Sequence, residues 1–186
     1  QELVEMGHNP YPAQEYKITS NSLEIKENYN EEKNNFQKVC LAGRIMGRRI
    51  MGKASFVELK DFHGKIQLYI NRDEICEGED KTLYNKVFKK LLDIGDIIGV
   101  EGRVFKTKVG ETSVMVKGLK LLSKSIRPLP IVKTDSEGVV HDSFKNTELR
   151  YRQRALDLIV NDNAWEVFEK RTKIFNKIRQ KLNSKG

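Results

Sequence analysis

The sequence has few residues suited to disulfides or metal sites. Its two cysteines, Cys40 and Cys76, lie far apart in strand-like or loop sequence. Its three histidines, His8, His63 and His141, are equally scattered. Because neither set has the spacing of a disulfide framework or of a metal cluster, we expect reduced thiols and no metal site.

Long apolar runs and common catalytic motifs are missing as well. No apolar run approaches the roughly 18 residues that a bilayer-spanning helix needs, and residues 1–12 lack a basic-then-apolar signal pattern. We therefore expect a cytoplasmic protein without membrane contact. Since the sequence has no P-loop, no Rossmann-type glycine loop and no Ser/His/Asp set, we assign no catalytic and no cofactor-binding residue.

The chain is instead rich in positive charge. Its 186 residues include 34 Lys and Arg against 26 Asp and Glu, a formal net charge of +8, and 38% of them are hydrophobic. The hydrophobic fraction is sufficient for a folded core. The excess of positive charge favours a polyanionic partner or an acidic surface, without indicating which.

Residues 1–36 are predicted to be an N-terminal extension, helical in part, that ends in a linker. Pro10 and Pro12 exclude a continuous helix near the start. Asn21, followed three residues later by Glu24, matches a capping box. This pattern predicts a short polar helix that ends near Tyr29.

Residues 37–125 have the pattern of an all-β OB-fold barrel with five strands and one helix. Short alternating stretches are separated by glycines, and one amphipathic segment interrupts them. The predicted elements are strands at 39–46, 54–60 and 65–71, a helix at 81–92, and strands at 97–105 and 112–123. A helix between the third and fourth of five strands is the order of the OB-fold, which commonly holds single-stranded nucleic acid.

Residues 126–147 are predicted to be a linker, because RPLP and the polar run TDSEGVVHDS end regular structure. Two helical patterns follow, at 148–160 and 164–183. The second pattern carries an apolar stripe that is available for a partner.

Strand alternation places two candidate binding side chains on the outer face of the barrel. Val57 and Leu59 are predicted to face the core, so Phe56 faces outward from the second strand. The same argument places Gln67 outside on the third strand. An exposed ring stacks on an unpaired base with roughly 1–3 kcal/mol, and a carboxamide pairs with a base edge. The alternative is that Phe56 packs under a loop or a helix and that Gln67 is an ordinary surface residue.

Charged residues flank this pair. Arg44, Arg48, Arg49 and Lys53 crowd the stretch before the second strand and can neutralise phosphates, although a solvated basic hairpin is the alternative. In the last hairpin, Glu111 either accepts a hydrogen bond from a base or simply occupies the turn.

Five strings of the sequence resemble the class II lysyl-tRNA synthetases of bacterial type, in family order and over nearly the whole chain. They are EMGHNPYPAQEY (5–16), GRIMGRRIMGKASFVELKDFHGKIQLYI (43–70), GRVFKTKVGETSV (102–114), SIRPLP (125–130) and ELRYRQRALDLIVN (148–161). RRIMGKASF with RPLP and RYRQR is specific to the lysyl enzymes, whereas the barrel alone also fits the aspartyl and asparaginyl enzymes. The family usually has an aromatic residue where this chain has Ala155, so we expect altered packing of that helix.

The resemblance implies an anticodon-binding region for the anticodon loop of tRNA(Lys), with no DNA partner. In the family, the ring at Phe56 stacks on the central anticodon uridine, and the groups at Gln67 and Arg48 help to recognise it. The residue at Glu111 lies near the first anticodon base, and Arg44 lies near the same bases.

The resemblance also implies a parent enzyme, a homodimeric lysine--tRNA ligase that uses ATP and Mg²⁺ to activate lysine before its transfer to tRNA. In the family, the last helix of this chain leads into the first class II motif, so residues 148–186 correspond to the start of the catalytic domain. The ATP-binding motifs lie further on. We therefore expect this fragment to be inactive and to hold no cofactor.

Two other functions stay open at this point. A general single-stranded nucleic-acid-binding OB-fold protein would show little preference among triplets. A protein-interaction barrel whose charge only aids solubility would bind no RNA even in low salt.

Overall fold

The computed structural model describes residues 1–33, 35–130, 133–134, 140–141, 144 and 146–185. The chain divides into two compact units, Gln1–Pro128 and Leu129–Gly186. The first unit contains a β-barrel, and the second contains the C-terminal helices. In the described part of the chain, no helix combines the length and the apolar content needed to cross a bilayer.

Five strands close the barrel of the first unit. They are β1 (Val39–Met51), β2 (Ala54–Lys60), β3 (Lys65–Asn71), β4 (Ile97–Lys106) and β5 (Thr112–Ser123). Their order around the barrel is β1-β2-β3-β5-β4. Neighbouring strands are antiparallel except β3 and β5, which are parallel. With a helix between β3 and β4, this arrangement confirms the predicted OB-fold barrel.

Strand β1 extends beyond Met46, where the predicted strand ended. Its first part pairs with β4 and its second part with β2, and the two pairings overlap at Arg44. The β1–β2 register shifts between Ile45 and Gly47, so Met46 is the extra residue of a β-bulge. The bulge breaks the alternation of buried and exposed residues, which is why the sequence pattern stops there.

Alternate residues of β2 and β3 fill the barrel. Val57, Leu59, Ile66, Leu68 and Ile70 are each at most 1% exposed, as their predicted core positions require. Burying such a side chain contributes about 1.5–3 kcal/mol. A slip of one residue would move all five to the solvent side, so this apolar face determines the register of both strands.

The predicted helix between β3 and β4 is present as a π-helix, Leu83–Leu91. At its end, the Leu92 N–H donates to the carbonyl of Val87, five residues earlier, at 2.9 Å. Tyr84 and Phe88 are fully buried, and their rings stack with centroids 5.4 Å apart. The helix is therefore part of the core. The short helix α3 (Arg72–Ile75) precedes it in the chain and is separated from it by residues 76–82.

Polar contacts tie the π-helix to β2 and to the turn between β1 and β2. The hydroxyl oxygens of Tyr84 and the buried Ser55 lie 2.8 Å apart. The carbonyl of Gly52, in the turn, accepts hydrogen bonds from Tyr84 Oη at 3.2 Å and from Lys89 Nζ at 2.7 Å. Gly52 has a φ of +64°, a conformation that favours glycine. The β1–β2 hairpin is thus held by the helix.

Two short helices precede β1, α1 (Glu2–Glu5) and α2 (Ser22–Asn28). The predicted capping box is present at the start of α2. Asn21 Oδ1 accepts from the Glu24 N–H at 2.9 Å, and the Glu24 carboxylate accepts from the Asn21 N–H at 3.4 Å. Asp61 then holds α2 on the barrel, because its carboxylate accepts from the N–H and the hydroxyl of Ser22 at 2.7 and 2.6 Å.

The described residues of the second unit form the helices α4 (Thr147–Arg152), α5 (Arg154–Val160) and α6 (Asp162–Asn183) and a strand pair, β6 (Lys133–Thr134) with β7 (Val140–His141). The first predicted helical pattern is divided at Gln153, which has φ −115° and ψ 57°. Ala155 is exposed within this unit. Much of the predicted linker, residues 131–132, 135–139, 142–143 and 145, lies outside the described residues.

A buried carboxylate joins α4, α5 and the start of α6. Asp157 is 0% exposed and accepts from Arg150 Nε and Asn161 Nδ2, each at 2.7 Å, and also from Arg154. Burial alone would raise the pKa of Asp157. The hydrogen bonds from Asn161 and Arg150 and the two guanidinium charges outweigh burial and hold that pKa below its usual value.

Candidate nucleic-acid interface

Three aromatic side chains lie together on the outer face of the barrel. Phe56 on β2 and Tyr69 on β3 are cross-strand partners, with ring centroids 5.3 Å apart. Phe105 on β4 lies 6.0 Å from Tyr69, edge to face. All three side chains are half-buried, so each ring keeps some surface accessible. Such a group is a platform on which an unpaired nucleobase can stack.

The platform lies in a cleft of about 910 Å³. The charged side chains that line the cleft are Lys26, Arg48, Arg49, Lys65, Lys108, Glu58 and Glu111. Five cations against two carboxylates make this surface positive, and Glu58 already pairs with Lys65 at 3.3 Å. The cleft therefore favours an anionic ligand such as a nucleic-acid strand.

Gln67 lies in the same cleft as Phe56, on the neighbouring strand. Its Nε2 donates to the hydroxyl oxygen of Ser113 on β5 at 2.9 Å. Its carboxamide is therefore held in one orientation across the β3–β5 junction. The structure places Phe56 and Gln67 together, as the strand alternation predicts, and their contact with RNA stays a prediction.

Arg48 borders the cleft, but its guanidinium contacts the π-helix. Its Nη1 donates to the carbonyl of Phe88 at 3.2 Å and to that of Leu92, and its Nη2 lies 3.9 Å from Asp93 Oδ1. A cation at the C-terminal end of a helix satisfies carbonyls that have no partner within the helix. Its place in β1 is opposite the core residue Val57, which turns it away from Phe56.

Arg49 shares the face of Phe56. The two residues are cross-strand partners, and the Arg49 side chain is exposed. The sequence pattern places Arg49 among the nearby cations but indicates no particular role for it. Strand alternation does indicate that only one of the two adjacent arginines, Arg48 and Arg49, can share the outer face with Phe56. The choice between Arg48 and Arg49 depends on the bulge at Met46, which no local pattern reveals.

Glu111 lines the cleft, whereas Arg44 does not. Arg44 Nη1 donates to the carbonyl of Gly95 at 2.7 Å, and Arg44 is not among the residues that line the cleft. Glu111 lines the cleft from the β4–β5 turn, where its N–H donates to Thr107 Oγ1 at 3.1 Å. Gly110, with a φ of +84°, allows the chain to reverse there.

The cleft thus combines a stacking surface, an oriented amide and phosphate-neutralising cations. These groups can bind an unpaired strand, and they include no nucleophile–base pair. Throughout the residues that the structure describes, no group of three His, Cys, Asp or Glu side chains is placed to hold a metal ion.

Residues 39–122 match the family model described as the OB-fold nucleic acid binding domain. This match covers the five strands of the barrel almost completely. The barrel therefore has the OB fold, and its sequence is similar to this family of nucleic-acid-binding domains.

The full chain is homologous to lysine--tRNA ligases, as the resemblance of its sequence indicates. It is 58% identical to the enzyme of Christiangramia forsetii over 96% of its own length, and 56% identical to that of Azobacteroides pseudotrichonymphae over 100%. It is 53% identical to that of Porphyromonas gingivalis, again over 100%. These matches cover 31%, 37% and 32% of the respective relatives, so the chain spans about a third of the length of the curated relatives it matches.

Proposed function

We propose that this chain binds the anticodon loop of tRNA(Lys) in the cleft, as the RNA-selecting part of a lysine--tRNA ligase. The observation that carries the proposal is the joint position of Phe56 and Gln67 in one positively charged cleft on the outer face of an OB-fold. The name of the relatives, lysine--tRNA ligase, supports tRNA(Lys) as the RNA.

The side chains of the cleft then have separate roles. Phe56 stacks on the central anticodon base, a uridine, and Gln67 reads the edge of that base. Arg49, opposite Phe56, neutralises a neighbouring phosphate or bonds the same base. Glu111 is assigned to the first anticodon base. Arg48 acts indirectly, through the end of the π-helix that it holds.

Arg44 is assigned a weaker role. Because its guanidinium bonds the carbonyl of Gly95, it adds positive charge near the RNA without facing the stacked base. Long-range attraction of this kind depends on the ionic strength.

The whole protein is proposed to be a homodimeric cytoplasmic ligase that activates lysine with ATP and Mg²⁺ and transfers it to tRNA. No residue of the present chain is assigned to that chemistry, so the fragment is proposed to be inactive by itself. The proposed domains are the extension at 1–36, the barrel at 37–125, the linker at 126–147 and the start of the catalytic domain at 148–186.

Titration with fluorescently labelled anticodon stem-loops tests the proposed binding. Loops with UUU or CUU are expected to bind more tightly than a loop with GGG, and every affinity should fall as salt rises because the cations of the cleft neutralise phosphates. Equal affinities for UUU and GGG would refute recognition of the anticodon.

General binding of single-stranded nucleic acid is the second candidate function. It is favoured by the row of Phe56, Tyr69 and Phe105, since a stacking platform accepts any base. It predicts equal affinity for UUU and GGG loops and for a DNA strand. Absence of binding to all of these in low salt would instead indicate a protein-interaction barrel.

A further inference from the structure

We infer that Ser113 is a specificity-determining residue, which orients the amide of Gln67 so that the cleft selects a uracil-type base over a cytosine. The inference rests on the proposed binding of an anticodon loop. It assigns the choice of base to a buried hydroxyl that itself stays out of reach of the RNA.

The hydroxyl of Ser113 has one proton, and its neighbours determine where that proton points. Ser113 is 0% exposed, and its Oγ lies 3.4 Å from the carbonyl oxygen of Glu111, which can only accept. With the proton directed at this carbonyl, the lone pairs of Oγ face Gln67. The group that approaches them at 2.9 Å must then be the donor Nε2 of the amide and not its oxygen.

The backbone supports the same arrangement. Gln67 and Ser113 are register partners in the parallel pairing of β3 with β5. Their side chains therefore start from neighbouring positions on one side of the sheet. The turn of β4 and β5 holds the carbonyl of Glu111, because the Thr107 N–H donates to the same oxygen at 2.9 Å. The orientation of the amide is thus fixed by the barrel and not by the ligand.

The consequence concerns the amide oxygen. Nε2 and Oε1 branch from one carbon, so Oε1 points away from β5 when Nε2 points to Ser113. Within the described residues, Oε1 of Gln67 has no donor from the protein. It can therefore accept a hydrogen bond from a base that is stacked on Phe56.

An oriented acceptor discriminates between the two pyrimidines. Uracil has a proton on N3 and donates it to an acceptor, whereas N3 of cytosine is itself an acceptor. Cytosine can offer Oε1 only its exocyclic amine, which requires the base to shift on Phe56. An amide free to rotate by half a turn would present Nε2 to N3 of cytosine, and the preference would be reduced.

The test compares the affinities of the chain for stem-loops with UUU and with UCU at one salt concentration. The Ser113→Ala variant is expected to lower the UUU-to-UCU affinity ratio by roughly three- to tenfold, the range that one hydrogen bond contributes. Ser113→Thr retains the hydroxyl and should keep the ratio. Ser55→Ala is the matched control, since it removes an equally buried serine hydroxyl that bonds Tyr84.

A double-mutant cycle separates orientation from a loss of folding. In a Gln67→Ala background, Ser113→Ala should leave the ratio unchanged, because no amide remains to be oriented. The inference is overturned if Ser113→Ala keeps the wild-type ratio or if Ser55→Ala lowers it equally. A wild-type chain without preference for UUU over UCU and over GGG would refute the proposed anticodon recognition as well, whereas a preference unaffected by Ser113→Ala would refute the inference alone.

Discussion

Phe56 and Arg49 occupy paired positions on one face of the barrel. If the proposed function holds, substitutions at these two residues distinguish two contributions to RNA binding, stacking and charge. Under the proposed function, the ring stacks on a base with little dependence on salt, while the guanidinium pairs with phosphates and is screened by salt. Arg48, one residue earlier, faces the other way and bonds the end of the π-helix. Of these two adjacent residues, Arg48 contacts the π-helix, and Arg49 is the one proposed to contact RNA.

Replacing Phe56 by Ala is expected to weaken binding of a UUU stem-loop by about 1–3 kcal/mol, because the stacking surface is lost. Fluorescence titration at fixed salt measures the change. Phe62→Ala is a control, since Phe62 is 69% exposed and is not among the residues that line the cleft. Unchanged affinity of the Phe56 variant would identify this ring as a packing residue.

The same substitution is expected to lower RNA affinity at Arg49 and protein stability at Arg48. Arg49→Gln should weaken RNA binding and reduce the salt dependence by about one phosphate contact, with little change in stability. Arg48→Gln should instead lower the free energy of unfolding by about 1–3 kcal/mol, because helix carbonyls lose a charged donor. Thermal melting and salt-dependent titration of both variants distinguish these effects. A reversed pattern would place Arg48 in the RNA contact.

At the scale of elements, strands were predictable wherever apolar and polar residues alternate. The limits of β2 and β3 follow directly from the spacing of Val57, Leu59, Ile66, Leu68 and Ile70. The bulge in β1 and the π-helical form of the 83–91 segment were not predictable. Both depend on contacts with distant parts of the chain, which a local pattern does not contain. The position of Gln67 against Ser113 has the same origin.

The register of β4 and β5 depends on a close approach at Gly102. A Cβ atom at this position would lie 2.1 Å from the carbonyl oxygen of Met115. Gly102→Ala is therefore expected to cost about 1–3 kcal/mol of stability, as overpacking of a core does. Gly47→Ala is the matched control, because its Cβ would meet only the Glu58 Cβ, at 3.8 Å. Chemical denaturation followed by circular dichroism measures both, and equal midpoints would contradict the close approach.

At the scale of the whole molecule, the chain consists of an OB-fold unit and a helical unit that has its own buried ion-pair cluster around Asp157. The division suits a protein in which one part selects RNA and another continues into a larger body, which is the organisation proposed for the ligase. The similarity to lysine--tRNA ligases was predictable from the sequence, since several short motifs occur in family order. The side-chain contacts within each unit could not be predicted from the sequence and are seen only in the structure.

The second unit is expected to lose stability in acid through Asp157. Its pKa is lowered in the folded state, so its contribution is complete above the ordinary carboxyl pKa of about 3.9 and is lost as the pH falls through the lowered value. Asp157→Asn should remove this pH dependence and cost about 1–3 kcal/mol at neutral pH.

Trp165, the single tryptophan of the chain, lies in α6 and reports on this unit by fluorescence. Glu148→Gln is a suitable control for the Asp157 variant, because Glu148 and its partner Arg152 are 71% and 74% exposed. Superimposable acid titrations of Asp157→Asn and the wild type would show that the buried carboxylate is not the acid-sensitive group.

The pairing of β3 with β5 has a consequence for the order in which the site forms during synthesis. Phe56 and Gln67 meet as soon as the β2–β3 hairpin closes, which needs only nearby sequence. The strand that bears Ser113 leaves the ribosome later and joins through a long loop closure. If the proposed roles of these residues hold, a nascent chain acquires a surface that stacks on any base before it acquires the hydroxyl that distinguishes one pyrimidine from another.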